Sequence, residues 1–248
     1  MKGECLKMIV TTRKHSYLLN NQDLTTVELG SIIFDPEANK MYLLSAPGVL
    51  TEIGVETLSA DTLEELMAAI ANGGNINITQ DIDAPTAFEI KIDTTIVNNK
   101  VLSISEDVEG NGVFMVTNGT LTLDGKGTIN GLDKSGWSMA VWATDNGKVV
   151  IKDGYFTNIG AYSPTDSDHY DLIYASKNGQ VEILGGEFKC ETPQWTLNIK
   201  NESRETAKIV VKGGKFHGFD PSKAEEGNFV AEGYKVIETD GIFEVIPE

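Results

Sequence analysis

Cysteine is almost absent: Cys5 and Cys190 are the only two, far apart in the chain. Such a pair makes neither a disulfide framework nor a metal-ligand spacing, and the two read as separate thiols. Long apolar runs are missing too. None approaches the roughly 18 residues of a membrane span, so no membrane insertion is expected. Basic residues are few, with 20 Lys and Arg against 37 Asp and Glu, a net charge of −17. Nucleic acid is thereby excluded as a partner, because neutralising phosphates needs clustered Lys and Arg. Near the N-terminus Lys7, Arg13 and Lys14 interrupt the early apolar residues, so no signal-peptide segment is visible. Read from its first Met, the chain is expected to be made in a cytoplasm and not exported by the usual route.

Hydrophobic residues make up 40% of the chain, which suits a packed core and not wholesale disorder. Residues 1–58 hold five basic and seven acidic side chains, a net −2, which leaves −15 for residues 59–248. The acidic part is therefore the body. It is expected to repel acidic polysaccharides unless a cation bridges them.

Internal repeats dominate that body. Residues 118–128, 146–156, 178–188 and 206–216 share one template, and its second positions are Gly119, Gly147, Gly179 and Ala207. Each repeat is an alternating strand, then a glycine turn, then an aromatic in three of the four. A further strand precedes each one, starting at Val113, Val141, Ile173 and Leu197. Alternation puts Leu121/Leu123, Val149/Ile151, Val181/Ile183 and Ile209/Val211 on one face, with Thr122, Glu182 and Lys212 opposite. In the preceding strands it puts Val113/Met115, Val141/Ala143, Ile173/Ala175 and Leu197/Ile199 on one face. Apolar residues that recur at the same place stack, with strands ~4.8 Å apart. The body thus reads as a parallel β-solenoid with Phe156, Phe188 and Phe216 as an internal stack. Ile76, Ile78 and Ile82, Phe88/Ile90/Ile92 and Val101/Ile104 read as two less regular coils upstream.

One helix precedes them, over residues 61–72. Asp61 is the expected N-cap with Glu64 three residues on, Leu63, Leu66, Met67 and Ile70 form the apolar stripe, and Asn72-Gly73-Gly74 ends it. It would cap the first coil; coils run over about 73–220. A hairpin with an Asp240-Gly241 turn, within about 229–248, would close the other edge. In residues 1–58, Ile32–Phe34 and Lys40–Leu44 flank turn formers and predict a hairpin in a small β-rich module. Pro47-Gly48 and Gly54 suit a linker.

Thr62-LEELMAAIANGGNINITQDI, the repeated NG…GG-F template and Asn228-FVAEGYKVIETDGIFEVIP together resemble a pectin-lyase-like right-handed parallel β-helix. The resemblance covers roughly residues 59–248 and is of the phage fibre, head-fibre and tailspike type. It implies an all-β fold with a capping helix and the small N-terminal module in the position of a virion anchor. It does not bring an active site. Hydrolases of this class carry paired aspartates, a Gly-His-Gly and an Arg-x-Lys, none of which is present. Lyases use Asp-bound calcium and a strand-borne arginine, whereas Arg13 lies outside the solenoid and Arg204 in a turn.

Two groups of residues are candidate sites. Asp166, Asp168, His169 and Asp171 cluster in an insertion, as a weak divalent-cation or acid–base site, or as a solvated polar loop. Phe114, Trp142 and Tyr174 read as an outward aromatic ladder, with Asn198 next in line and Trp137 and Tyr162 in the adjoining insertions. The ladder is either covered by those insertions, a subunit interface, or a platform for sugar rings. The favoured function is a non-enzymatic virion structural protein, a fibre, head fibre or capsid decoration protein, with no cofactor. It would bind a capsid or other virion protein through residues 1–58, form a homo-oligomer with a trimer favoured, and contact a host glycan. A tailspike depolymerase and a bacterial surface adhesin are the alternatives.

Overall fold

The computed structural model describes strands within residues 16–52 and, continuously, residues 57–104, 112–131, 139–160 and 171–248. The chain divides into two compact units, Met1–Glu56 and Thr57–Glu248. In the first unit, strands Ser16–Leu18, Ile32–Asp35, Lys40–Ala46 and Val49–Glu52 make one four-stranded sheet in that order. Ile32–Asp35 pairs antiparallel with Lys40–Ala46, Asp35 opposite Lys40. Ser16–Leu18 adds in parallel. Pro47 sits in the turn between the last two strands, so it belongs to a hairpin and not to a linker. Leu44 is buried in this unit.

The second unit is mostly β, and its sheets are parallel. Three strands recur in fixed order along the chain. The first sheet comprises Phe88–Ile90, Phe114–Val116, Val141–Ala143, Ile173–Ala175 and Leu197–Ile199. The second begins with Thr57–Ala60 and Gly74–Ile78 and continues through Thr94–Asn98, Thr120–Asp124, Lys148–Ile151, Gln180–Ile183 and Lys208–Val211. The third takes Ile82–Ala84, Val101–Ile104, Thr128–Asn130, Tyr155–Thr157, Glu187–Lys189 and Lys215–His217. Each passage of the chain thus adds one strand to each sheet in turn, always parallel to its predecessor. The domain boundary falls two residues before the expected one, because Thr57–Ala60 pairs with Gly74–Ile78 and so belongs to the body.

Register creates the core. Ile76, Ile96, Leu123, Ile151, Ile183 and Val211 pair in one column of the second sheet. In the third sheet Leu102, Ile129, Phe156, Phe188 and Phe216 form another. Every member is buried. Phe156 and Phe188 stack at 5.0 Å, Phe188 and Phe216 at 4.8 Å. Ile129, not Thr128, takes the position of the later phenylalanines because the turn before it is one residue longer than in later repeats. The turn glycines are required by crowding. A Cβ on Gly147 would lie 2.0 Å from the Val116 carbonyl oxygen, and one on Gly179 2.2 Å from that of Ala143.

Several expected faces shift by one residue. Phe114 pairs with Val141 and Met115 with Trp142, so Phe114 and Val116 point inward, where Met115 was expected. Leu102, not Val101, joins Ile104 in the core, and Ile92 is exposed. The helix runs Leu63–Asn72 with Thr62, not Asp61, as N-cap: its side chain accepts from Glu65 N–H while the Glu65 carboxylate accepts from the cap N–H. That reciprocal arrangement starts one residue later than read because Asp61 instead accepts from the Thr79 hydroxyl. Leu66, Ala69 and Ile70 are its buried residues and Met67 is exposed. The helix packs against the first strands of all three sheets. At the other end, Ile242–Pro247 pairs antiparallel with Lys215–His217, and Tyr234–Thr239 with Ile242–Pro247. The connecting Asp240 and Gly241 have φ of 51° and 77°, the left-handed pair a two-residue hairpin turn needs. No described helix is long and apolar enough to cross a membrane.

Candidate functional site

Short strands of the first sheet alternate inward, outward, inward, so each carries one outward side chain. In register these are Glu89, Met115, Trp142, Tyr174 and Asn198. Phe114 is fully buried and packs against Phe88 with ring centroids 5.8 Å apart. Phe114 therefore faces the core, and Met115 holds the outward position in line with Trp142. Trp142 and Tyr174 are half-buried neighbours, their rings 6.3 Å apart and tilted by 46°. Trp142 Nε1 donates to Ser176 Oγ at 2.9 Å, and Ser176 Oγ donates to Thr144 Oγ1 at 2.9 Å. This chain of hydrogen bonds fixes the indole in plane and orientation. Trp137 and Tyr162 lie outside the described residues.

A hydrogen-bonded polar pair adjoins the ladder. Asn198 Nδ2 donates to Asp171 Oδ1 at 2.7 Å. Asp171 is buried, and burial pushes its carboxyl up to about 7, against the Asn198 hydrogen bond and with help from the Glu226 charge. Tyr174 is pushed up to about 12, first by burial, then by the charges of Asp171 and Glu202. Cys190 rises to about 12 for the same first reason, with Thr192 and Asn158 opposing and Asp171 and Glu191 adding. Asp171 is the one member of the expected acidic cluster within the described residues; Asp166, Asp168 and His169 fall outside them. Among the described residues no three His, Cys, Asp or Glu side chains converge as metal ligands.

Glu226 is a residue that sequence reading missed. Its side chain is 3% exposed, and the Arg204 guanidinium lies 3.9 Å away. Neither carboxylate oxygen is hydrogen-bonded to another of the described residues. Burial raises its pKa, Arg204 lowers it and Glu225 raises it. Glu226 belongs to no repeat, so nothing in the sequence singled it out. The arrangement couples the raised carboxyl of Asp171 through charge to Glu226 on one side and to Tyr174 on the other. Chemically it can hold a proton near neutrality and present flat apolar rings. Neither a protein-family model, nor a curated protein, nor a solved structure matches this chain.

Proposed function

We propose that the chain is a non-enzymatic structural protein of a phage particle, a fibre, head fibre or capsid decoration protein. In this reading Thr57–Glu248 is a right-handed parallel β-helix whose first coil is capped by the Leu63–Asn72 helix and whose last edge is closed by the C-terminal hairpin. The small N-terminal sheet anchors it to a capsid or other virion protein. One observation carries the reading: a small self-contained sheet unit is followed by a body in which every passage of the chain extends three sheets along one direction. Such a division suits an anchor and a shaft. A homo-oligomer, with a trimer favoured, assembles through the Trp142 and Tyr174 strip, since a body carrying −15 needs apolar contact to offset self-repulsion. Deletion of residues 1–56 is expected to leave a folded β-rich body, by circular dichroism, that is missing from purified particles by mass spectrometry. A truncated chain incorporated at normal copy number would place the attachment in the body and sink the anchor reading.

Asp171 and Glu226 support a second reading, glycoside hydrolysis. Two carboxyls with raised proton affinity that interact through charge, one of them also coupled to Tyr174, are the groups an acid–base mechanism uses. In that case the full chain releases reducing ends from host-surface glycans and Asp171→Asn abolishes the release. Intact glycans after prolonged incubation with the full chain would eliminate this reading.

A further inference from the structure

The outward face of the second sheet carries a feature at odds with the rest of the body. Lys148, Gln180 and Lys208 occupy one register column, and Val150, Glu182 and Val210 the next. Together with Lys212 they line an open groove of about 480 Å³. Lys212 Nζ donates to Glu182 Oε1 at 2.5 Å, which neutralises the only acidic group lining the groove. Lys148 and Lys208 are exposed and make no ion pair with any described residue. Two uncompensated ammonium groups therefore stand on one rigid sheet face of a body carrying −15.

We infer that this groove binds a short stretch of acidic glycan, a sugar chain bearing carboxylates such as uronic or sialic acid. Lys148 and Lys208 are separated by two strand spacings, roughly 10 Å. A pyranose unit is about as long as one strand spacing is wide, so carboxylates on nearby sugars meet both ammonium groups without bending the chain. Between them Gln180 offers an amide donor and acceptor for hydroxyls. Val150 and Val210 supply an apolar floor for the C–H faces of the rings. The groove has the volume of a small-ligand site, not of a duplex. The surrounding negative charge disfavours nucleic acid, whose charge density is one phosphate per nucleotide, more than a glycan with sparser carboxylates. General repulsion of acidic polysaccharide, expected from the net charge, is thus suspended on one face. The site is separate from the aromatic strip and from particle attachment, and binding is measured on the purified full chain, so failure here leaves the anchor reading untouched.

Isothermal titration with a mannuronate hexamer and a sialic-acid hexamer, against neutral mannohexaose, tests the inference at low ionic strength. The full chain is expected to bind at least one acidic hexamer and not mannohexaose. Lys148→Ala with Lys208→Ala should weaken that binding by about ten-fold or more, the scale of two lost charge contacts. Lys189→Ala with Lys235→Ala, on the third sheet, should leave it within about two-fold. Binding of neither acidic hexamer overturns the inference. So does equal weakening by both pairs, which would mean diffuse attraction. A fall in sedimenting mass caused by the Lys148 and Lys208 changes overturns it as well, because the groove would then hold an acidic face of a second copy.

Discussion

Replacing Phe188 with alanine is expected to cost about 3–5 kcal/mol of stability, read by urea denaturation of the full chain. Phe188 is fully buried between Phe156 and Phe216, at 5.0 Å and 4.8 Å, with interplanar angles of 12° and 9°. Near-parallel rings at that distance gain about 0.5–1.5 kcal/mol beyond the area they hide. Truncation therefore removes two stacking contacts along with one aromatic side chain. The gap cannot close by collapse, because the strands bearing all three rings are held at fixed separation by their ladder hydrogen bonds. Phe188→Leu, which keeps most of the volume, should cost clearly less. Its outward neighbour provides the contrast: Lys189→Ala is expected to change stability by under about 0.5 kcal/mol. Equal losses at positions 188 and 189 would show that the column is not the core.

Asp171→Asn is expected to stabilise the protein at pH 8 and to do little at pH 4. The folded carboxyl titrates near 7 against an ordinary 3.8, chiefly because it is buried. For an acid with a raised folded pKa, the protonated form is the one the fold favours. Its contribution is fully present below about pH 4 and is lost as pH rises toward 7. A shift of about three units sets a ceiling of about 4 kcal/mol on that loss. The asparagine is uncharged at both pH values and keeps an oxygen to accept from Asn198. Melting curves from pH 4 to pH 8 should therefore be flatter for the variant. Identical pH profiles for the two proteins would mean that Asp171 is solvated.

The repeat template made the second and third sheets legible, because their strands alternate cleanly and end on glycine turns. The first sheet was legible in outline only. Val113-Phe114-Met115-Val116 is apolar throughout, so alternation has no phase there. Counting back from Gly119 then misled, since the turn joining Val116 to Thr120 is one residue shorter than the turn joining Ala143 to Lys148. The turn following Asp124 is one residue longer and conceals the difference. Glu226 left no trace because it lies outside every repeat and meets Arg204 only in the fold. The lysine groove did leave one: Lys148 and Lys208 follow the template positions Gly147 and Ala207 directly. Charge summed over the whole body masked it, because a sum does not say which face a residue is on.

The two different ends of the parallel stack have a further consequence. The helix meets the strands that begin all three sheets, and the antiparallel pairing of Ile242–Pro247 reverses the direction of the edge that a next coil would extend. Between those ends each strand pairs only with the strands on either side of it in its sheet. Reach can therefore change in whole steps of ~4.8 Å, by gain or loss of one segment of about 28–32 residues, without redesigning either terminus. Selection for distance could act on the number of repeats while leaving both ends, and whatever they hold, as they were.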